Sequence, residues 1–311
     1  MSDYQDRIRG TLLGQAVGDA LGSPYEFRAP PKAGQARFGR GTFGHGPGQY
    51  TDDTEEACMV ALARSEPLKV AANLLRWYRD PAIRDIGNQT RQVMSHARTP
   101  RGLAQASRAY ARRQELVPRP RGFDHGTGAG GLMRTGPVCL PFLTDRKRIA
   151  VAARRVNDLT HASAYDGDAA VLWSIAIAAA IELGTAFSAE QISDGLEFIP
   201  AQRRAYWEGV IDEALSSPPG RFRRNGGCVG CFKAALSSVA HADSLEDGLY
   251  RAVSIGNDTD TVAAVTGALL GARFGASAVP AKWRKVWGWP GMKAADLERL
   301  ALAAAGCTVP A

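Results

Sequence analysis

The sequence predicts an all-α fold, and three observations carry that prediction. Sustained alternation of β-branched and polar residues is missing along the 311 residues, so strand signals are scarce. Alanine-rich stretches with helical spacing take their place. Two rows of small residues at four-residue steps, Gly10-Gly14-Gly18-Gly22 and Ala263-Gly267-Gly271-Gly275, mark helices able to approach closely.

In chain order, Tyr4–Leu21 carries the first of these rows. Thr54–Arg64 follows the run Thr51-Asp52-Asp53-Thr54, whose composition suits a helix start. Pro67–Tyr78, Gln89–His96 and Leu103–Gln114 come next, with Asp85 placed to cap the helix that begins near Gln89. Gly136–Phe142 and Asp145–Thr160 lead to Asp166–Leu183. The apolar stretch Ala169–Ile181 within it stops at Glu182, short of the ~20 residues of a membrane span, and reads as a buried core helix. Ala189–Leu196, Arg203–Ser216, Val229–Val239 and Ser244–Ser254 follow. Thr261–Phe274 carries the second small-residue row, and Ala281–Trp287 and Ala294–Ala304 complete the set.

Three segments interrupt this pattern: Pro30 to Gln49, Arg98 to Arg101, and Val117 to Gly131. The first and third are rich in Gly and Pro and long for connectors, which marks them as candidates to cover or line a site. The two small-residue rows place the first helix and the late one together at the centre of one bundle. Residues 1–311 are accordingly expected to form a single domain.

Hydrophobic residues make up 45% of the chain and charged residues 22%, so no large disordered fraction is expected. Lys and Arg outnumber Asp and Glu by 38 to 31, and the net charge of +7 favours an anionic ligand. Arginines crowd the stretch from Arg98 to Arg121 and recur at Arg221, Arg223 and Arg224. Aromatic residues barely interleave with them and no recognition helix or RNA-binding signature accompanies them, so a solvated basic face is expected rather than a nucleic-acid partner. The start, Met1 to Asp6, lacks the basic and apolar regions of a secretory signal. With an odd count of five cysteines, this points to reduced thiols in a cytoplasm and to no membrane association.

Two segments combine paired aspartates with hydroxyl side chains just before a helix: Thr51-Asp52-Asp53-Thr54 and Asp258-Thr259-Asp260-Thr261. Taken singly, each reads as a helix cap, with Thr51 or Asn257 capping and the acids complementing the helix dipole. Brought to one locus, four carboxylates would repel strongly unless cations neutralised them. Two divalent ions balance that charge, and all-oxygen ligands suit Mg²⁺ or Mn²⁺ rather than zinc. Two-metal sites of this kind serve hydrolysis.

Several segments together resemble the ADP-ribosylglycohydrolase family, which includes dinitrogenase reductase-activating glycohydrolase and the ADP-ribosyl-arginine hydrolases. They are Gly14 to Gly22 with Pro24-Tyr25-Glu26, Thr51 to Thr54, Asp85-Ile86-Gly87-Asn88-Gln89-Thr90, Leu132-Met133-Arg134, Thr160-His161, and Gly256 to Thr261, in family order across nearly the whole chain. The resemblance implies an all-α fold with a binuclear Mg²⁺ or Mn²⁺ site held by Thr51, Asp52, Asp53, Asp258, Asp260 and Thr261. It implies catalytic roles for Glu26, near the scissile ribose bond, and for Asp85. A carboxylate at position 85 can accept a guanidinium in bidentate fashion, which favours ADP-ribosyl-arginine as substrate. Gly87, Asn88, Gly128, Gly130, Gly131, Met133, Arg134 and His161 fall at substrate-binding positions. The glycine loop could admit a phosphate and Arg134 add charge. The chain departs from many members in having only Gly and Ala between Thr127 and Leu132, where they carry an Asn. ADP-ribosyl-serine, O-acetyl-ADP-ribose or an ADP-ribosylated nucleic acid remain alternative substrates, and a non-catalytic ADP-ribose binder remains an alternative class. The complete set of acids argues against the last.

Other motifs are read more plainly. Gly126 to Gly131 matches GxGxxG, but no strand and no βαβ unit surround it, so it is not a dinucleotide fingerprint. His161 and Asp19 are expected to support neighbouring loops by hydrogen bonds. Cys228-Val229-Gly230-Cys231 is a solitary CxxC with neither a second pair nor histidine ligands nearby. Trp283, Trp287 and Trp289 with Pro290 form an aromatic cluster expected to seal a core or an interface.

Overall fold

The computed structural model describes residues 2–116 and 126–308. Its α-helices are α1 (Asp3–Gly22), α2 (Asp52–Leu62), α3 (Pro67–Tyr78), α4 (Asn88–Ser95), α5 (Pro100–Glu115), α6 (Gly130–Met133), α7 (Arg146–Asn157), α8 (Ala164–Leu183), α9 (Ala201–Ser216), α10 (Cys228–Ala240), α11 (Leu245–Ser254), α12 (Thr259–Phe274) and α13 (Ala294–Ala304). Among the described residues, strand is confined to a two-residue hairpin, Trp287–Gly288 against Met292–Lys293. The all-α expectation holds. Of the irregular segment Val117 to Gly131, residues 117–125 lie outside the described residues.

The small-residue rows pair as their spacing suggested. α1 and α12 run antiparallel, with Gly10 against Gly271, Gly14 against Gly267, Gly18 against Ala263 and Gly22 against Thr259 and Asp260. A Cβ on any of these four α1 glycines would stand inside 3.0 Å of a backbone atom of the facing helix. Only glycine permits so close an approach. The register sets the C-terminal end of α1 beside the N-terminal end of α12, and it is there that the acidic residues lie.

Both central helices are enclosed: α1 is buried from Gly10 to Gly22, and α12 from Thr259 to Ala272. α8 is buried from Asp166 to Ile181 and is the core helix its composition predicts. Asp168 in α8, fully buried, receives Arg154 of α7, Arg203 of α9 and the Trp207 indole N–H of α9. One carboxylate thereby fixes three helices, with its charge met by two guanidinium groups.

Three predicted elements differ in kind. Ala189–Leu196 lies within a 3-10 segment, Ala189–Phe198. Gly136–Phe142 is a 3-10 helix, since Pro137 at its start and Pro141 inside it remove amide donors that α-helical pairing would require. The helix predicted over Ala281–Trp287 is a single 3-10 turn, Ala281–Trp283. Beyond it Trp287 is drawn into extended pairing, donating its amide to Gly48 O at 3.0 Å and accepting from Tyr50 N at 3.1 Å. That pairing pins the far end of the Pro30–Gln49 loop. The three tryptophans then divide: Trp283 is buried edge-on to Tyr250, Trp289 donates to Asp80 at 2.9 Å, and Trp287 stays 43% exposed.

Candidate active site

Four helices are capped by their own side chains: Ser2 caps α1, Thr99 caps α5, Asp145 caps α7 and Ser244 caps α11. At α2 and α12 the N-cap residues Thr51 and Asp258 make no such bond. Distant buried residues do the work instead. Asp19 of α1 accepts from Thr51 N at 2.9 Å, from Thr54 N at 3.0 Å and from Thr54 Oγ1 at 2.6 Å. Asn225 accepts through Oδ1 from Asp258 N at 3.1 Å and from Asn257 Nδ2 at 2.9 Å, and donates through Nδ2 to Gly256 O at 3.1 Å. The carboxylates of both acidic segments are thus released from capping, the role each would have if read alone.

Glu26 joins them through backbone ties. It follows the turn Ser23–Tyr25 at the end of α1, its carbonyl accepts from Thr42 Oγ1 at 2.8 Å, and Phe27 N donates to Asn257 O at 2.8 Å. Ligand oxygens of Glu26, Asp258 and Asp260 all lie within 4.8 Å of one another. Asp53 completes the group; its Oδ2 accepts from Thr51 Oγ1 at 3.2 Å. Thr261 donates its amide to Asp260 at 3.0 Å. Among the described residues no Lys or Arg pairs with any of these carboxylates, and Glu26 Oε2 and Asp53 Oδ1 are buried without a partner.

Such crowding raises every proton affinity in the group. Burial first, then Asp258 and Asp85, push Glu26 up to about 9. Asp53 is raised by burial and then by Asp19, Asp52, Asp258 and Glu26, and Asp260 by burial and then by Glu26, Asp53 and Asp258. Burial also lifts Asp52, and lifts Asp258 to about 6. Mutual influence across residues 26, 53, 258 and 260 shows that the two segments converge. Buried, cation-free carboxylates with orphaned oxygens are the donor set that a hard divalent ion would satisfy.

Asp85 borders the cluster, half-buried, and is pushed to about 8 by burial and then by Asp52, Asp19 and Asp258. It does not cap α4, whose N-cap is Gly87. The Gly87 amide braces Asp52 Oδ2 at 3.2 Å, and Asn88, exposed, begins α4. Across from them lies the glycine loop. Gly128 N donates to Gln89 Oε1 at 3.4 Å, and Gly128 and Gly130 pack over the imidazole of His161.

Part of the substrate-binding set expected from sequence is turned into the core. Arg134 is fully buried; it pairs with Glu56 at 2.7 Å and donates to Val156 O and Asn157 O, so its charge is neutralised internally rather than offered to a phosphate. Met133 is buried, with its carbonyl taken by Gln15 Nε2 at 2.9 Å, and Gly131 is buried against Asn157 and His161. His161 is 2% exposed, bonds Thr160 Oγ1 through Nδ1 at 2.8 Å, and is kept neutral by burial and by Arg134. It supports the loop from beneath. Cys228 and Cys231 are fully buried free thiols at the start of α10.

Sequence reading missed three residues. Asn225 holds the second acidic segment, Asp166 accepts from Thr127 N at 2.9 Å to hold the glycine loop, and Gln15 donates from α1 to Asp53 O at 3.0 Å. Asn225 does precede Gly226-Gly227, a turn composition. Its partners lie more than thirty residues away, where spacing gives no signal.

The sequence model of the ADP-ribosylglycohydrolase family matches residues 1–308. The chain is 28% identical over 301 residues to the ADP-ribosylarginine hydrolase Tri1 of Pseudomonas putida, covering 91% of this chain and 75% of that one. It is 27% identical over 294 residues to the ADP-ribosyl-[dinitrogen reductase] glycohydrolase of Rhodospirillum rubrum, covering 89% of each. A solved structure described as an ADP-ribosylglycohydrolase-related protein complex superposes with a TM-score of 0.74 at 28% identity, over 98% of this chain and 99% of that one. With its helical architecture and convergent acidic segments, the chain belongs to the ADP-ribosylglycohydrolase family.

Proposed function

We propose that this hydrolase removes ADP-ribose from arginine side chains, using two divalent cations, Mg²⁺ or Mn²⁺, held by Thr51, Asp52, Asp53, Asp258, Asp260 and Thr261. The observation that carries the reading is the buried acidic cluster whose carboxylates meet no cationic side chain among the described residues. Bound there, the ions would offset the carboxylate charge and supply Lewis acidity to ribose oxygens. Two of the similar proteins are named for ADP-ribosyl-arginine and ADP-ribosyl-dinitrogen reductase, which supports an ADP-ribosylated protein as substrate.

The chain's own residues take the remaining roles. Glu26, buried with Oε2 free, serves as acid/base at the ribose C1″, where the bond to the guanidine nitrogen breaks and one to water oxygen forms. Asp85 receives the guanidinium of the leaving arginine. Gly128 and Gly130 let a pyrophosphate approach the loop backbone, and Gly87 and Asn88 border the ribose.

Asp52→Ala combined with Asp260→Ala is expected to abolish both Mn²⁺ binding, measured by calorimetry, and release of ADP-ribose. Hydrolysis that persists in metal-free buffer overturns the two-metal reading. A panel of conjugates linked through arginine, serine, acetate and nucleic acid tests the linkage, with turnover expected fastest on arginine. Asp85→Asn is expected to lower kcat/KM on the arginine conjugate by tenfold or more and to change free ADP-ribose binding less than twofold.

A further inference from the structure

Away from the acidic site, the turn between α2 and α3 and one face of α7 border an open cavity of about 520 Å³. Arg64, Lys147, Arg148 and Arg155 line it together with Phe142 and Val151. That volume falls in the range of roughly 300–1,000 Å³ found for small-molecule sites. Lys147, Val151 and Arg155 recur at four-residue steps and share one face of α7. None of the four cations pairs with an acid among the described residues, and Glu66, the acid in the lining, is engaged by Lys69 at 3.1 Å.

Two local features here run against ordinary preference. The start of α7 carries Arg146, Lys147 and Arg148 with no acid beyond the capping Asp145; Arg146 is paired with Glu182 at 2.8 Å, and the positive charge of Lys147 and Arg148 opposes the helix dipole. Arg64 and Ser65 are consecutive left-handed residues, at φ 48° and 58°, in a region that favours glycine. Ser65 is held there by its amide on Val60 O at 3.1 Å and its hydroxyl on Val138 O at 3.0 Å, which keeps the Arg64 backbone at the cavity, while the guanidinium makes a long contact to Ala303 O at 3.4 Å that a phosphate would replace. An anion in the cavity would relieve the charge crowding on both sides.

The shape of the charge narrows the ligand. Arg148 lies over the Phe142 ring at 4.4 Å, a flat cation on an aromatic face and a ready surface for another planar ring. Three further cations answer more than one negative charge. We propose that this cavity is a second ligand site, for a nucleoside phosphate whose base packs among Phe142, Arg148 and Val151 and whose phosphates meet Arg64, Lys147 and Arg155. A fatty acid offers one charge and no ring.

The probes are ADP with a fluorescent ribose substituent, titrated into the metal-free protein, and 8-bromo-ADP soaked into crystals. Bromine density is expected in the cavity. Lys147→Glu with Arg155→Glu is expected to weaken binding at least tenfold, and Val151→Trp, which fills the space without altering charge, to do the same. Arg223→Glu with Lys285→Glu, an equal charge change at exposed residues outside the lining, is expected to shift binding less than twofold. Equal weakening by both charge reversals, bromine only at the acidic site, inorganic pyrophosphate binding as well as ADP, or palmitate binding in its place would each overturn the proposal. Since Lys147, Val151 and Arg155 take no part in the acidic site, failure here leaves the proposed hydrolysis untouched.

Discussion

Asp19 accepts hydrogen bonds from the amides of Thr51 and Thr54 and from the Thr54 hydroxyl, and it is fully buried while doing so. Asp19→Asn keeps the shape but turns one acceptor oxygen into a donor facing donors. It is expected to cost about 1–3 kcal/mol, the penalty of unsatisfied buried groups, and to weaken Mn²⁺ binding with it. Urea denaturation measures the first and calorimetry the second; a loss below about 0.5 kcal/mol would mean that the first acidic segment does not depend on this cap. The supporting role of Asp19 was legible in the sequence, because a carboxylate on a glycine-rich apolar helix needs nearby donors. Arg134 was not. Its position in a motif suggested a phosphate contact, whereas its partner Glu56 is 78 residues away and only packing brings the two together.

At the scale of elements, the contact between α1 and α12 was legible because a four-residue glycine step has few other uses. Gly271 faces Gly10 O, and the reciprocal closeness of Gly14 and Gly267 leaves no flexible side chain to yield. Gly271→Ala is therefore expected to destabilise by at least about 1–3 kcal/mol, the usual cost of overpacking, despite alanine's better helix propensity. Thermal melting checks the sign: a rise in Tm would show that the helices separate freely. Gly209, on α9 with open space around it, supplies the contrast. Gly209→Ala is expected to leave stability unchanged or raise it by up to about 1 kcal/mol. What the sequence did not show were elements decided by distant partners. The helix expected over Ala281–Trp287 gives way because Gly48 and Tyr50 capture the backbone of Trp287, and no local pattern records that capture.

At the scale of the whole molecule, the acidic cluster couples stability to pH and, under the proposed function, to divalent ions. Glu26, Asp85 and Asp258 have folded-state affinities raised to about 9, 8 and 6, above the ordinary values near 4 of the unfolded chain. A group raised in this way contributes stability that is fully present below its unfolded pKa and is lost as pH rises through its folded one. The metal-free protein should therefore weaken as pH climbs from about 5 to 9, by up to about 1.4 kcal/mol per pH unit for each group that is still protonated in the folded protein and ionised in the unfolded chain. His45 acts in the opposite sense. Burial, and then Arg84, lower it to about 4, so its contribution is complete above an unfolded pKa near 6.5 and lost as pH falls toward 4. His161, lowered by burial and then by Arg134, acts in the same sense as His45, and with two histidines set against several carboxylates the acids prevail in chelator. Saturating Mn²⁺ replaces the missing protons with fixed positive charge, and the decline toward pH 9 should flatten. Thermal melts at pH 6, 7.5 and 9, with EDTA and with Mn²⁺, measure this directly: the gap between the two series should widen as pH rises. A constant gap would mean that the carboxylates are ionised at no cost in the folded protein, and that the cluster is not a site that needs cations to be stable.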